Sequence, residues 1–312
     1  MPCNLPVLFF RMMSMAKLIA LFHNPSAGDS DHGKDYLLNV IRNEGYDCQY
    51  ISVKEKNWKQ VPEGTDWIAV AGGDGTVRKM ILFMDTQPAT IKKIPIGILP
   101  MGTANNIAKT LGMQGAPEAL VKSWGKKSTA FDTARIKCGA KKWIMGEGAG
   151  AGLFPSHIIK MQNSDGGDEA AAAKLLRDRN TITDGVRAYA PFDAQVEIDG
   201  IEHKGSFLMI EIMNIRSIGP NIGLAPNAEV NNGLLDIVLV PADRKQQFTT
   251  FLKKEDPNIR RLLVDQELQG RHIRIKASTR HFHIDDEVVH VPDGEIFEIE
   301  VNQEQLKFFR QE

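Results

Sequence analysis

Up to about residue 130, short apolar runs alternate with stretches of helical spacing. KLIALFHNPSAG (17–28) reads as a buried strand ending in a turn. In KDYLLNVIRNEG (34–45), Tyr36, Leu37, Val40 and Ile41 recur at helical spacing and Gly45 supplies a stop. CQYISV is a second strand, DWIAVAGG a third, and TVRKMILFM the helix after it. IPIGILPMGTANNIAKTLG repeats the unit of strand, glycine turn and helix. Such alternation predicts a mostly parallel sheet with helices on both faces.

Near residue 130 the period changes. AFDTARIKC, KKWIMGEGAG, FDAQVEIDG, EHKGSFLMIEIMN, GLLDIVLV, HIRIKAS, HFHIDDEVV and EIFEIEV are short β-rich runs separated by Gly, Asn and Asp. They predict an antiparallel sandwich. Two helical pieces interrupt it, at 168–189 and within 246–270. The expected organisation is an α/β domain over 15–129 and a β-sandwich domain over 130–302. The tail 303–312 is a candidate to return to the first domain.

Composition narrows the possibilities. A net charge of -1 gives no basic field for nucleic acid. Cys3, Cys48 and Cys138 match no zinc or redox spacing and fit a reducing cytosol. No apolar run approaches the ~20 residues of a membrane-spanning helix. The start, MPCNLPVLFFRMMSM, lacks a basic leader region, so no secretory signal is expected, and Met15 is a candidate start. A cytoplasmic protein is expected, with any membrane contact peripheral, at the inner face. A homodimer stays open.

The candidate chemistry lies in two turns. In IAVAGGDGTVRKM (68–80), Gly72, Gly73 and Gly75 permit positive φ and leave amides uncovered at a helix start. Such a turn is a ready anion site. Thr76 can cap the helix or meet a phosphate oxygen. Asp74 is the informative residue, because an acid there would repel phosphate unless it holds a metal, a proton or a hydroxyl. The bland alternative is a helix cap. LPMGTANN (99–106) is a second glycine turn at a helix start. Neighbouring units of a parallel sheet open on one edge, so Thr76 and Thr103 could face one ligand. Asn105 and Asn106 have simple capping as their alternative.

The pairing of GGDGT with PMGTANNIA, preceded by NPSAG, resembles the diacylglycerol kinase catalytic-domain family, which includes bacterial lipid kinases and sphingosine kinases. Later echoes are NNGLLDIVLV (231–240) and HIDDEVV (283–289). The resemblance implies a nucleotide domain of the kind shared by NAD kinase and diacylglycerol kinase, a β-sandwich lipid domain, and a site between them. It implies ATP and magnesium as cofactors and a lipid at a membrane surface as acceptor, in phospholipid metabolism. Carried over by position, the loop Gly72, Gly73, Asp74, Gly75, Thr76, Val77 and Arg78 would cradle ATP phosphates. Gly102, Thr103 and Asn105 would meet the nucleotide from the second turn, Asn24 and Pro25 would shape the loop beside it, and Ser52 would be a further contact. Asp285 and Glu287 match the late acidic motif assigned to catalysis, and Asp74 is the alternative base and a metal ligand.

Two positions depart from the family pattern. Asp286 stands where the family has glycine. Asn232 stands where it has an aspartate of a second magnesium site, and a neutral amide is a poorer ligand for that cation than a carboxylate. If the acidic motif lay in a regular strand, Asp285 and Glu287 would share a face and Asp286 would point away. Residues 251–280 carry eight Lys or Arg against four acids, a patch suited to an anionic bilayer or simply to solvent. The rival readings are an NAD kinase-like small-molecule kinase and a nucleotide-binding regulator without turnover.

Overall fold

The computed structural model describes residues 16–27, 33–162, 170–254, 256–264 and 266–311. Met15 and the methionines before it, Gly28, and the start of the helical piece at 168–169 lie outside the described residues.

The first half is built as the apolar runs require. β1 (Leu18–His23), β3 (Trp67–Gly72) and β4 (Ile96–Pro100) are buried along nearly their whole length, which is what a sheet covered on both faces demands. With β2 (Asp47–Ser52) they pair parallel in the order β4-β3-β1-β2. α1 (Lys34–Asn43) buries Leu37, Leu38, Val40 and Ile41, and α2 (Asp74–Asp85) buries Val77, Met80, Ile81, Phe83 and Met84. α3 (Ala89–Lys92), α4 (Asn106–Thr110) and α5 (Pro117–Ser123) are short connectors.

The second half is antiparallel. β7 (Gly148–Gly152), β8 (Phe192–Ile198), β9 (Ile201–Met213), β12 (His272–Ala277), β13 (His281–Ile284) and β14 (Glu287–His290) run in the order β14-β13-β7-β9-β8-β12. β10 (Leu235–Pro241) pairs with β9 and with β11 (Leu268–Gly270). Ile210, Ile212, Val196, Ile273, Phe282 and Phe297 form its core. α6 (Leu153–Gln162), α7 (Ala171–Ala188), α8 (Lys245–Lys254) and α9 (Pro257–Arg261) belong to a third cluster around Phe248, Phe251 and Val186.

Two long strands join the halves. β5 (Ser128–Cys138) pairs with β6 (Lys141–Met145) and with β15 (Phe297–Phe309). β15 parts from β12 after Glu300, keeps its antiparallel pairing with β5 across a bulge between Asn302 and Leu306, and Phe308 also pairs parallel with Ile96 of β4. Leu306, Phe308 and Phe309 lie in the first core. The positions 129/130 and 302/303 therefore fall within continuous strands.

The glycine turns owe their composition to close approach. None of Gly72, Gly73 and Gly75 has positive φ, contrary to expectation; Gly73 is extended at φ -90, ψ -175. A Cβ on Gly73 would lie 2.9 Å from the Cα of Gly102, and one on Gly102 would collide with the Cα of Gly73. The two turns pack backbone on backbone. Gly75 is different: a Cβ there would find only Asp286 Oδ2, at 3.7 Å. Gly102→Ala should cost about 1–3 kcal/mol by overpacking and lower the melting temperature by several degrees. Gly75→Ala should melt at or slightly above the wild-type temperature, since it only removes unfolded-state freedom. Equal losses in the two variants, read by differential scanning calorimetry, would contradict the packing account.

Candidate active site

Where α2 begins, the amides of Asp74 and Gly75 occupy the first two helical positions, so neither has a partner within the helix. Asp74 does not cap its own helix. Its Oδ1 accepts the amide of Ile107 at 3.1 Å, binding the start of α4 to the start of α2. Burial raises its pKa, against the amides of Asn105, Asn106 and Ile107 and the charge of Lys109. Asn105, left-handed at φ 53, folds back on its own turn: its Oδ1 accepts Gly102 N–H at 2.9 Å and its Nδ2 donates to Gly102 O at 2.7 Å. Asn106 Nδ2 donates to Gly219 O at 2.9 Å, while its buried Oδ1 has no partner among the described residues. Thr76 is buried, and its hydroxyl accepts Asn24 Nδ2 at 3.3 Å, which ties the loop after β1 to the glycine turn.

The acidic motif of the second half is a hairpin turn. Ile284 pairs with Glu287, leaving Asp285 and Asp286 as the two turn residues, and Asp285 has φ 53. The expectation of Asp285 and Glu287 on one strand face is thereby corrected: the strand stops at Ile284. Two-residue hairpin turns need positive φ, and Asp is among the few residues that tolerate it. Asp285 is 6% exposed. Its Oδ1 accepts the amides of Gly146 at 3.2 Å, Glu147 at 2.8 Å and Gly148 at 3.2 Å, and its own amide donates to Gly148 O at 2.7 Å. KKWIMGEGAG, read as one run, breaks here into β6 and β7 so that three successive amides converge on one carboxylate.

Arg78 reaches the same turn from α2. Its guanidinium meets Asp285 at 3.2 Å, Asp286 at 3.1 Å and Glu287 at 2.9 Å. Asp286 and Glu287 are exposed; Asp285 is not. One arginine of the first glycine motif thus holds all three acids of the last motif.

A cavity of about 520 Å³ opens at this junction. Asp74, Gly75 and Thr103 line it from the first half; Glu147, Asp285 and Asp286 line it from the second. Phe154, Ile158, Met161, Leu175 and Ile218 form an apolar wall, with Lys174 and Arg177 also lining it. Of the residues expected at the site, the cavity brings together Asp74, Gly75, Thr103 and Asp285. Gly72, Gly73, Gly102 and Asn105 stand behind it as the packed turns. Val77 is a core residue, Arg78 is engaged by the three acids, and Glu287 lies outside the lining. Pro25 is exposed in its turn. Ser52 sits at the end of β2, its hydroxyl accepting Lys54 N–H at 3.3 Å, away from the lining.

Glu147 escaped sequence reasoning. It lines the cavity half-buried among glycines, and its pKa is driven well above the ordinary 4.5 by burial and by the neighbouring charges of Asp74, Asp285 and Asp286, with Arg78 opposing. The signal available was an acid embedded in GEGAGAG, where small residues let other groups crowd it. His157, also lining the cavity, is held neutral: burial lowers its pKa to about 4.

Among the described residues no group of three His, Cys, Asp or Glu forms a ready metal site. The donors that are present suit magnesium in another way. Asp74, Glu147 and Asp286 are hard oxygen donors, the charges of Asp74 and Asp286 act on Glu147, and magnesium is commonly held by one or two carboxylates plus substrate phosphates. Asn232 is exposed and its Oδ1 accepts Leu234 N–H at 2.9 Å in an Asx turn. The loop around it is closed by buried Asp132, which accepts Gly233 N–H at 2.8 Å and Glu304 N–H at 2.7 Å. In the basic stretch, Arg260 pairs with Glu267, Arg274 with Glu197 and Arg280 with Asp293, so the patch is partly neutralised. No helix among the described residues is long and apolar enough to cross a membrane.

The fold is that of a two-part α/β protein, with parallel and antiparallel halves joined by the long strands β5 and β15 and packed glycine turns at the start of α2 and before α4. Residues 18–136 match the diacylglycerol kinase catalytic domain, and residues 172–302 match the YegS C-terminal NAD kinase beta sandwich-like domain. Residues 18–136 thus carry a diacylglycerol kinase catalytic domain, and together with the named relatives this supports a lipid kinase function. It is 26% identical over 235 residues to a diacylglycerol kinase of Mycobacterium tuberculosis, covering 70% of this chain and 68% of that protein. A Klebsiella pneumoniae protein named "Probable lipid kinase YegS-like" is 26% identical over 71% of this chain and 75% of its own length. The crystal structure of a diacylglycerol kinase from Bacillus anthracis str. Sterne superposes with a TM-score of 0.68 at 18% identity, over 96% of this chain and 98% of that one. At that identity the likeness is one of fold.

The Glu147 environment has a measurable consequence. A carboxyl whose pKa is higher folded than unfolded binds its proton more tightly in the folded state. Its contribution to stability is therefore full below the unfolded value and is lost as pH rises above it toward the folded value. Glu147→Gln should melt above wild type at pH 8, and the difference should shrink toward pH 5. A variant that melts lower at pH 8 would contradict the account.

Proposed function

We propose that this protein is an ATP-dependent lipid kinase that transfers the γ-phosphate to a lipid hydroxyl such as that of diacylglycerol. We assign ATP to the half formed by residues 15–129 with the 303–312 tail, and the lipid to residues 130–302. One observation carries the reading: the same cavity is lined by Asp74 and Gly75, whose amides have no partner within the helix, by the carboxylates of Glu147, Asp285 and Asp286, and by an apolar wall of Phe154, Ile158, Met161 and Leu175.

Phosphoryl transfer needs positioning and charge compensation more than covalent chemistry. The amides of Asp74 and Gly75 and the hydroxyl of Thr103 hold phosphate oxygens. Asp74 and Asp286 would hold magnesium together with the phosphates, and the ion would supply charge neutralisation there. Glu147 takes the proton of the acceptor hydroxyl. Its raised pKa brings a carboxylate closer to the basicity a general base needs at neutral pH. Asp285, expected with Glu287 as a candidate catalytic base, serves in this reading as the anchor of the amides around Glu147, because its oxygens are already engaged. The apolar wall receives the lipid's acyl portion and excludes water from the transfer.

Incubation with radiolabelled ATP, magnesium and a total lipid extract, followed by thin-layer chromatography, should label a lipid-soluble product. Glu147→Gln should lower that turnover at least a hundredfold, within the usual range for general-base loss, while still binding nucleotide. Asp286→Asn and Glu287→Gln should each change it less, and Glu287→Gln by under threefold. Label confined to water-soluble products, or full turnover by Glu147→Gln, would contradict the assignment.

A further inference from the structure

Behind the hairpin turn lies a second pair of titratable groups that the proposed reaction does not use. Glu211 in β9, Gly150 in β7 and His283 in β13 stand in one register row across three adjacent strands. Alternate strands lie about 9–10 Å apart, too far for two side chains to meet over an ordinary residue between them. Gly150 removes the obstacle: a Cβ there would come 2.8 Å from Glu211 Oε2. Over it, His283 Nε2 and Glu211 Oε2 meet at 2.8 Å, with both side chains fully buried. The other ring nitrogen, Nδ1, lies 2.9 Å from the carbonyl oxygen of Asp285, and the ring edge packs on Phe154 with centroids 5.0 Å apart.

The geometry fixes part of the protonation. A carbonyl oxygen can only accept, so Nδ1 carries a proton whichever partner holds the one between Nε2 and Oε2. A buried pair of this kind contributes little net stability, and apolar replacements of similar volume are often neutral. Here there is an added cost, because Glu211 Oε1 is buried with no partner among the described residues. The pair gives direction instead. It grips the carbonyl of the one residue in the turn with positive φ, whose carboxylate in turn grips the amide of Glu147 at 2.8 Å.

We propose that Glu211 and His283, bridging over Gly150, are a positioning pair for phosphoryl transfer: they hold the Asp285 turn so that its carboxylate keeps Gly146–Gly148, and with them Glu147, aligned at the cavity. This rests on the lipid kinase reading for its effect on turnover, but not for its effect on the amides.

The test compares two kinds of variant of the full chain. Glu211→Leu with His283→Phe removes the pair without leaving a lone buried charge; Glu211→Met with His283→Leu is a second apolar pairing should the first not fold. Glu211→Gln alone keeps a hydrogen bond to Nε2 and leaves Nδ1 donating to Asp285. In the folded apolar variant, the amides of 146–148 should exchange with solvent at least tenfold faster. Its kcat on lipid should fall at least tenfold, with KM for ATP within threefold of wild type. Glu211→Gln should stay within threefold of wild type in both readouts. Wild-type exchange at 146–148 in a folded apolar variant would overturn the proposal, as would a Glu211→Gln loss equal to that of the double variant. If the wild-type protein labels no lipid, the lipid kinase reading fails, and the exchange rates still decide whether the pair holds the turn.

Discussion

Asp285 turns back on itself in the left-handed region, and its carboxylate collects the amides of Gly146, Glu147 and Gly148 while Arg78 approaches from α2. The site depends on that set of contacts. A buried carboxylate is costly unless it is surrounded by donors, and here the donors come from both halves of the protein. The β6–β7 break, the β13–β14 turn and the first turns of α2 must all be in place for it to be satisfied. The junction is thereby fixed by hydrogen bonds as well as by the shared strands β5 and β15.

Around that anchor the charges are unbalanced by design of the sequence. Asp74, Glu147 and Asp286 line the cavity with Asp285, and Arg78 is the cation that meets three acids of the hairpin. Burial first, and then the neighbouring negative charge, raise the pKa of Glu147. Asp74 binds α2 to α4, so the two glycine turns that pack at Gly73 and Gly102 are also tied by a side chain.

Much of the first half was legible in the sequence because buried parallel strands and the two glycine turns leave local signatures. IAVAGGDGT and IGILPMGT announce both strand and turn. The acidic motif was located but its geometry was not. Aspartate occupies the turn position where glycine would have advertised positive φ, so HFHIDDEVV passed for one strand. α6 was hidden by Pro155 in its first turn and by the glycines before it. Glu147 and the Glu211–His283 pair depend on contacts between residues far apart in the chain, over a hundred residues for Glu147 and Asp285 and 72 for Glu211 and His283; the small residues of GEGAGAG hint at crowding around Glu147, but no local pattern names the partners.

The central claim is that nucleotide phosphates and their metal sit between the glycine turns and the Asp285 hairpin. Manganese bound with a non-hydrolysable ATP analogue would broaden the amide resonances of nearby residues. The account predicts broadening at Gly73–Thr76, Thr103 and Gly146–Gly148, with 231–234 unaffected. Broadening confined to the loop around Asn232, or absent from Gly146–Gly148, would contradict it.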